Sequence, residues 1–486
     1  MRLETGIYQG SRPSQNDGWR ILCEQEKTPF RMTDRPDCPV LVCERETPAW
    51  LADYLERGGA AVISGAVPEQ LPFPTDYIGS AVLEYADLTD LGGGNARIQS
   101  LVQVFNGMGL GKLSLHEKRV TKLGMTPDEY PAVLFQRVGL GGCWYTGISC
   151  AALLSALGDT LRRTDSFSDY TERVTAVDKH LLLRAMRFLL TQAYRLLELP
   201  YISLGYYPEN YRGVFAFRVD VDGIYGENLG LLNQAAADCG IRTTFYVNQN
   251  MCKEEWERLL LLDPMHDIGC HAVIHNLFTS EEDNYANVHN CRVWMDSLGL
   301  RQGPWFVAPR GMWNFALNRA LEREGIAYTS DFGFCIHGLP FYPYFNSERM
   351  AVKQIPVNPF SAERAYAQAE EEGRGVPSAE FIAEYFCHAA REQHKLGLPI
   401  LLYSHPQRFG PLAAEVLPRL KACLDGMDVW QTTFAEWSAW WDLRDGAAYS
   451  VEYEPGSGAL TVDGTLPDKV RLCVEEQRKA VSHAKA

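Results

Sequence analysis

The sequence of 486 residues has no apolar run long enough to cross a membrane and no excess of positive charge. The stretch LLLRAMRFLLTQAYRLL is interrupted by Arg184, Arg187 and Arg195, whereas a membrane span needs about 20 mostly apolar residues. The formal net charge of −15 argues against a nucleic-acid partner, because no basic stripe offsets it. The first residues also lack a secretory signal pattern. We therefore expect a cytoplasmic protein, and leave open an exported form that has lost a leader.

The sequence also lacks the cysteine patterns of disulfide scaffolds and zinc ribbons. Its thirteen cysteines are scattered and form no C-x-x-C pair, which favours reduced cysteines that pack in the core. We find no internal repeat and no low-complexity segment. The length predicts two or three domains. Nothing in the sequence decides the oligomeric state, and a homo-oligomer stays open.

Residues 212 to 440 alternate between short apolar runs and helical stretches. The runs predict strands, and the alternation predicts parallel strands joined by crossover helices, hence an α/β sheet or barrel. Polar chemistry then collects at the carboxyl ends of the strands. The predicted strands are FAFRVDV, TTFYVN, DIGCHAV, WFVAPRG, MAVKQIPV, PILLYSH and DVWQTTF, and examples of the predicted helices are GLLNQAAADCG, EEWERLLLLD, NRALEREG and AEFIAEYFCHAAREQH.

The first 200 residues show a second α/β pattern. PVLVCERETPAWLADYLERGGAAVISGA predicts strand, helix and strand, and GLGGCWYTGISCAALLSALGD predicts a strand that leads into a helix. We predict one long amphipathic helix over residues 165–198, which bridges the domains. The segment SVEYEPGSGALTVDGTLPDKVRLCVE predicts three short strands, and the tail EQRKAVSHAKA should fray.

The amino-terminal pattern resembles the inactive class I glutamine amidotransferase-like domains that accompany many carbohydrate-active enzymes. An active member would need a cysteine nucleophile on a sharp turn and a histidine partner. Neither Cys43 nor Cys143 lies in a small-residue turn, and the region offers only His116 and His180. We therefore expect a non-catalytic accessory domain that shapes the substrate cleft or an assembly contact.

Candidate catalytic residues follow several of the predicted strands of residues 212–440. Asp220 and Asp222 lie at the end of FAFRVDV, on one side of the strand because strand side chains repeat every second residue. Two like charges there raise each other's pKa unless a cation lies between them. His271 and His275 can converge on one ion if the chain turns helical there. Pro309, Arg310 and Gly311 end another strand, and His405 ends a later one.

These four motifs, in this order, resemble the NodB-homology polysaccharide deacetylases, carbohydrate esterase family four. The resemblance implies that Asp220 is the catalytic base and that Asp222, His271 and His275 are the metal ligands. It also implies that Arg310 helps to hold the oxyanion through its backbone N–H and that His405 is the general acid. The implied fold is a distorted (β/α)7 barrel.

Two positions depart from the family pattern. Val307 stands where the family has the arginine that pairs with the base. We do not expect Arg218 to replace this arginine, because its side chain would reach the face of Asp220 only if the strand were steeply twisted. Arg310 is the alternative partner for the base. The family's Asp-x-x-Trp motif is only loosely echoed by YTSDFGF, where Asp331 either orients His405 or is a turn residue.

From these features we predict an α/β protein with three parts. Residues 1–205 would form a flavodoxin-like accessory domain with the bridging helix, residues 206–445 a NodB-like deacetylase barrel, and residues 446–486 a small β segment and tail. The expected function is metal-dependent hydrolysis of the acetamido group of an N-acetylated amino sugar or glycan (class EC 3.5.1), as in polysaccharide biosynthesis. The expected cofactor is Zn²⁺, with Co²⁺, Ni²⁺ or Mn²⁺ as alternatives.

Two other functions stay open. Loss of the family arginine at Val307 favours an inactive sugar-binding member of the fold, and some relatives hydrolyse other amides. Aromatic residues at the mouth of the barrel would favour a sugar, and GLPFYPYF with Trp305 or Trp313 could supply such rings. The same rings could equally pack in the core.

Overall fold

The computed structural model describes residues 1–113, 130–164 and 167–475 of the chain. The amino-terminal region contains a seven-stranded sheet, in which five neighbouring strands are parallel and the last two are added by antiparallel pairing. The expected strand–helix–strand and strand–helix units are confirmed in it, and its assignment to the flavodoxin-like class stays a prediction. In spatial order the strands are Phe30–Thr33, Thr5–Tyr8, Val40–Glu44, Ala60–Ser64, Gly141–Thr146, Val133–Val138 and Gly109–Leu110.

The described part of this region also contains a smaller antiparallel sheet and four α-helices. The sheet consists of Asp76–Leu88, Gly94–Asn106 and Lys112–Leu113. One face of the seven-stranded sheet packs in an apolar core that continues into the strand that carries Asp220, and the helix Leu51–Glu56 packs in a separate apolar cluster on the sheet. The helices are Asp17–Glu26, Leu51–Glu56, Cys150–Leu154 and Lys179–Leu196.

The prediction of one long helix over residues 165–198 is wrong in its first half. The helix begins only at Lys179, and Thr171–Thr175 pairs antiparallel with Asp159–Arg163. We call this pair of strands the arm hairpin. Arg162 explains the boundary, because its guanidinium donates to the Thr175 carbonyl (3.2 Å) and to Asp178 (2.5 Å), and so keeps the chain extended up to the helix. Residues 165–166 lie outside the described part.

The second half of the chain forms a curled sheet of parallel strands, which confirms the α/β expectation. Seven strands follow one another in the sheet, and Val429–Gln431 adds to the start of the strand Gly213–Val221. The two edges meet where the Asn358 N–H donates to the Leu401 carbonyl (2.8 Å). In spatial order the seven are Lys353–Gln354, Tyr328–Thr329, Gln302–Phe306, Asp267–Cys270, Thr243–Val247, Gly213–Val221 and Ile400–Ser404.

Helices alternate with these strands, as the apolar periodicity predicts. One predicted helix is different: EEWERLLLLD forms a 3₁₀ helix over Trp256–Leu261. Four leucines in a row leave no polar face for a longer amphipathic helix, and two of them are exposed. The α-helices are Asn228–Asp238, Gln249–Cys252, Glu281–Ser297, Phe315–Arg323, Ala362–Glu371, Ala379–Lys395, Pro406–Phe409, Ala413–Asp425 and Phe434–Asp445.

The three predicted carboxy-terminal strands are confirmed. Ala448–Glu454 and Ala459–Thr465 form a hairpin, and Leu472–Glu475 pairs antiparallel with Tyr201–Leu204. The predicted frayed tail lies outside the described residues. Among the described helices, none is long and apolar enough to span a lipid bilayer.

Candidate functional site

The strand Gly213–Val221 carries the two aspartates to the carboxyl edge of the curled sheet. All nine of its residues are buried, because parallel neighbours cover both of its sides and helices cover its faces. Asp220 lies within the strand and is 4% exposed, whereas Asp222 follows the last residue. The Oδ1 atom of Asp220 is buried and has no hydrogen-bond partner among the described residues. A buried acceptor of this kind is costly in a native fold and is typical of a catalytic or ligand-binding group.

Asp222, His271 and His275 converge on one point. Oδ1 of Asp222 lies 3.0 Å from Nε2 of His271 and 3.3 Å from Nε2 of His275. Nδ1 of His271 is 2.7 Å from the Val307 carbonyl, so the ring proton is held there and Nε2 presents its lone pair. Burial would raise the pKa of Asp222, but the two imidazoles outweigh it and hold the pKa well below its usual range.

The two histidines meet without the helix that their spacing suggested. The segment after His271 is a series of bends, and Ala272 has a left-handed φ of 65°. This reversal turns the chain so that His275 returns to Asp222. The ligand atoms of Asp222, His271 and His275 lie within 4.8 Å of one another. One carboxylate and two imidazoles form a donor set that suits Zn²⁺ or a similar divalent ion.

Arg218 pairs with Asp220, and our expectation that it would not do so is wrong. Its Nη2 lies 3.1 Å from Oδ2 of Asp220, and its Nη1 donates to the Ser330 carbonyl. Arg218 is fully buried, with its guanidinium 4.9 Å from the centre of the Tyr403 ring. Residues two apart in a strand share a face without any unusual twist. Arg218 therefore supplies the positive partner that Val307 cannot provide.

His405 is oriented by Glu363, which the sequence did not indicate. Nδ1 of His405 lies 3.1 Å from Oε2 of Glu363, and the backbone N–H groups of His405, Arg408 and Phe409 donate to the same carboxylate. Burial lowers the pKa of His405, but Glu363 outweighs it and raises the pKa to about 9. Nε2 of His405 is left facing Asp222, 3.6 Å from its Oδ2.

Asp331 does not orient His405. It is fully buried, accepts the backbone N–H of Ala308 (2.8 Å) and accepts the hydroxyl of Thr329 (2.6 Å). Burial raises its pKa to about 6. Asp331 therefore supports the segment that leads into Pro309–Gly311.

Arg310 lies in a tight turn at the rim of the same cavity. The turn Pro309–Gly311 is a single 3₁₀ turn in which Arg310 has φ 58° and ψ 19°. A non-glycine residue in this conformation is strained, and such strain is concentrated at functional sites. Gly311 is required here, because a Cβ atom would lie 2.2 Å from the Phe332 ring. The Arg310 side chain is exposed and makes no ion pair with Asp220, which Arg218 already holds.

One cavity of about 690 Å³ contains all six predicted site residues. The aromatic residues proposed for sugar stacking lie elsewhere: Trp313 packs on Phe334, Trp305 stacks on Tyr328, and Tyr344 packs under Arg20 of the amino-terminal region. Among those rings, Trp313, Phe341 and Tyr344 are buried, whereas Phe345 is 38% exposed and packs on Phe315, outside the cavity. The cavity is lined by Asp159, Glu172, Arg173, Asp220, Asp222, His271, His275, Arg310, Gly311, Met312, Phe332, Ser361, Glu363, Arg364, Ala367, Tyr403, His405 and Gln407.

The two cysteines considered as amidotransferase nucleophiles lie inside strands of the amino-terminal sheet. Cys43 and Cys143 are both fully buried, and burial raises the pKa of each thiol. A thiol in this setting is inert, because the thiolate is the nucleophile. His116 lies outside the described residues.

No protein-family model and no curated protein matches the chain. Solved structures are similar to about half of it. A protein of Mycobacterium smegmatis provisionally assigned as a polysaccharide deacetylase matches at 16% identity and TM-score 0.43, over 49% of this chain and 92% of its own. An allantoinase matches at 14% identity and TM-score 0.40, over 49% and 92%. A CE4 family pseudoenzyme from Bacillus anthracis matches at 14% identity and TM-score 0.33, over 48% and 66%.

These structures include a protein assigned as a polysaccharide deacetylase and a CE4 family pseudoenzyme. The three proteins nonetheless differ in function, since one is assigned as a deacetylase, one is an allantoinase and one is a pseudoenzyme. All three TM-scores are below 0.5. The function of this chain must accordingly be argued from its own side chains.

Proposed function

We propose that this chain is a divalent-metal-dependent N-deacetylase, which hydrolyses the acetamido group of an N-acetylated amino sugar or glycan and releases acetate. The proposal is carried by the convergence of Asp222, His271 and His275 in a cavity that is also lined by Asp220, whose Oδ1 atom has no hydrogen-bond partner among the described residues. Hydrolysis adds water across the C–N bond: oxygen bonds to the acetyl carbon, and the departing nitrogen takes a proton. The reaction therefore needs a base, an acid and an electrophilic group.

Asp220 is the proposed base. Arg218 holds its Oδ2 atom, which leaves Oδ1 to take a proton from the attacking water. His405 is the proposed acid, because a pKa of about 9 keeps it protonated at neutral pH. Its Nδ1–H is held by Glu363, so the proton available to the leaving nitrogen is the one on Nε2.

Asp222, His271 and His275 are the proposed ligands of Zn²⁺, or of Co²⁺, Ni²⁺ or Mn²⁺. When bound, such an ion supplies Lewis acidity, which lowers the pKa of water toward about 7 and polarises the acetyl carbonyl. The backbone N–H of Arg310 is the proposed further donor to the oxyanion.

The Arg218–Asp220 pair weakens the main argument for an inactive sugar-binding protein. That alternative rests on the valine at position 307, which cannot act as the positive partner of the base. Arg218 supplies the partner from the base's own strand. Hydrolysis of another amide stays the second candidate, because none of the aromatic rings proposed for sugar stacking lines the cavity, whose aromatic residues are Phe332 and Tyr403.

Two variants test the proposal together. Asp220→Asn should retain the metal and lower kcat for acetate release by about 10²–10⁴, the usual contribution of a general base. His275→Ala should lose most of the metal, because it removes one of three ligands. Metal content of purified protein and acetate release from a panel of N-acetylated sugars are the measurements. The metal-site assignment is wrong if His271→Ala and His275→Ala both keep full occupancy.

A further inference from the structure

The arm hairpin belongs to the amino-terminal region in sequence but is attached to the catalytic half. Thr171 donates its backbone N–H to Oε1 of Gln368 (2.8 Å), and its carbonyl accepts Nε–H of Arg364 (2.9 Å). The Thr175 N–H donates to the carbonyl of Phe332 (3.0 Å), a residue of the cavity wall. These bonds fix the hairpin against the helix Ala362–Glu371.

That helix is the one that supplies Glu363 to His405. The helix Ala362–Glu371 therefore supports both the arm hairpin and His405, the proposed acid. A second anchor lies in the loop between the two strands, two residues before Thr171, where Arg374 binds both carboxylate oxygens of Asp169 (3.1 and 3.0 Å). The hairpin is consequently a fixed wall of the cavity.

Three residues of the arm hairpin line this cavity: Asp159, Glu172 and Arg173. Arg173 and Asp159 satisfy each other, since their Nη1 and Oδ1 atoms lie 2.8 Å apart. Glu172 differs from this pair. Its Oε1 atom accepts only the backbone N–H of Arg173 (2.7 Å), and no described residue donates to its Oε2 atom.

Glu172 is a half-buried acceptor in a polar cavity. Burial raises its pKa, and Arg364, His405 and Arg173 act in the opposite direction. A carboxylate with an unused oxygen accepts strong hydrogen bonds from hydroxyl or ammonium donors. Binding sites obtain specificity from a few such groups on a fixed scaffold.

We propose that Glu172 is a substrate-specificity residue, whose carboxylate accepts hydrogen bonds from hydroxyl groups of the sugar that carries the acetamido group. This inference rests on the proposed deacetylase function. It assigns recognition of the sugar to the amino-terminal region, whereas the curled sheet supplies the reacting groups. A substrate without hydroxyl groups gains nothing from Glu172.

The test compares two substrates and three proteins, all as the full chain loaded with Zn²⁺. The substrates are an N-acetylated amino sugar and p-nitrophenyl acetate, which has no hydroxyl group. We expect Glu172→Ala to lower kcat/KM on the sugar by about 10- to 100-fold, the range for a hydrogen bond to a charged group, mainly through KM. The loss on p-nitrophenyl acetate should stay below about threefold, as for a remote contact. Glu384→Gln, an exposed acid on the outer helix Ala379–Lys395, is the matched control.

The outcomes separate this inference from the proposed function. Equal losses on both substrates, or no loss on either, would overturn the role of Glu172 while the wild type still acts as a deacetylase. A wild type that binds metal but releases no acetate contradicts the proposed function instead. Calorimetric binding of the sugar then decides the role of Glu172: weaker binding by Glu172→Ala supports it, and unchanged binding rejects it.

Discussion

Arg218 and Asp220 form an ion pair in which both partners are almost fully buried. Removing one partner of such a pair leaves an uncompensated charge, which costs about 3–5 kcal/mol. We expect Arg218→Met to lower the free energy of unfolding by about this amount. Arg218→Met combined with Asp220→Asn should recover much of it, because no charge is then left unpaired. Urea unfolding of the two single variants and the double variant measures this coupling, and purely additive losses would contradict it.

Glu363 predicts a pH dependence. It raises the pKa of His405 to about 9, so the acid form of His405 persists as the pH rises until that value is approached. In Glu363→Gln this support is lost, and a carboxylate neighbour contributes about 1–3 pKa units. The alkaline limb of the kcat profile should move to lower pH by that amount, while metal content is unchanged. A limb that stays in place would show that His405 is not the group that titrates.

The sequence indicated some residues of the candidate site and not others. Asp220, Asp222, His271, His275, Arg310 and His405 could be proposed because strand ends and motif order bring them to one edge. Arg218 was equally accessible, since the period of two places it beside Asp220. Glu363 was not, because it lies on a helix 42 positions before His405 and no local pattern connects them.

At the scale of elements, the carboxyl ends of the amino-terminal strands hold a buried acid. Glu44 is 3% exposed and accepts hydrogen bonds from the hydroxyls of Ser64 and Ser149 and from the Ala151 N–H. Burial raises its pKa from 4.5 to about 7, although these hydrogen bonds oppose the shift. Between these two values the folded chain holds a proton that the unfolded chain has released. Stability must therefore fall as the pH rises through this window.

Glu44→Gln tests that consequence. The variant cannot ionise, so the loss of unfolding free energy between pH 4.5 and pH 7 should be smaller than in the wild type by up to about 3 kcal/mol. Urea unfolding of the wild type and the variant at pH 5 and pH 8 provides the comparison. Groups other than Glu44 titrate in both proteins, so the difference between the two proteins reports on Glu44. Identical pH dependence in the two proteins would mean that Glu44 is ionised throughout.

Strands and helices whose apolar residues follow one clear period could be predicted from the sequence. Segments whose apolar spacing fits both a strand and a helix could not. The strands with alternating or continuous apolar residues formed as expected. The segment before Lys179 was misjudged because its apolar spacing also fits a helix, whereas Thr171, Val174 and Thr175 are β-branched and favour a strand. The pairing with Asp159–Arg163 decided between the two, and pairing over a distance cannot be seen in a local pattern.

On the scale of the whole molecule, the two halves are joined more closely than two successive domains would be. The apolar core runs through both, and the arm hairpin reaches from the first half into the cavity of the second. The sequence indicated two α/β units and an amino-terminal domain that shapes the substrate cleft or an assembly contact, but no local pattern showed that the arm hairpin lines the cavity. Which surfaces meet depends on side chains that are far apart in the chain.

The pairing of Leu472–Glu475 with Tyr201–Leu204 has a consequence for synthesis on the ribosome. Tyr201–Leu204 emerges early, but its partner is translated only after every strand of the curled sheet. Until then one edge of the strand offers unpaired N–H and C=O groups, which attract other extended chains. Domains usually fold as they emerge, amino-terminal first. In this protein Tyr201–Leu204 stays unpaired in the nascent chain until Leu472–Glu475 has been synthesised. A ribosome that stalls before that point should therefore release a product prone to aggregation.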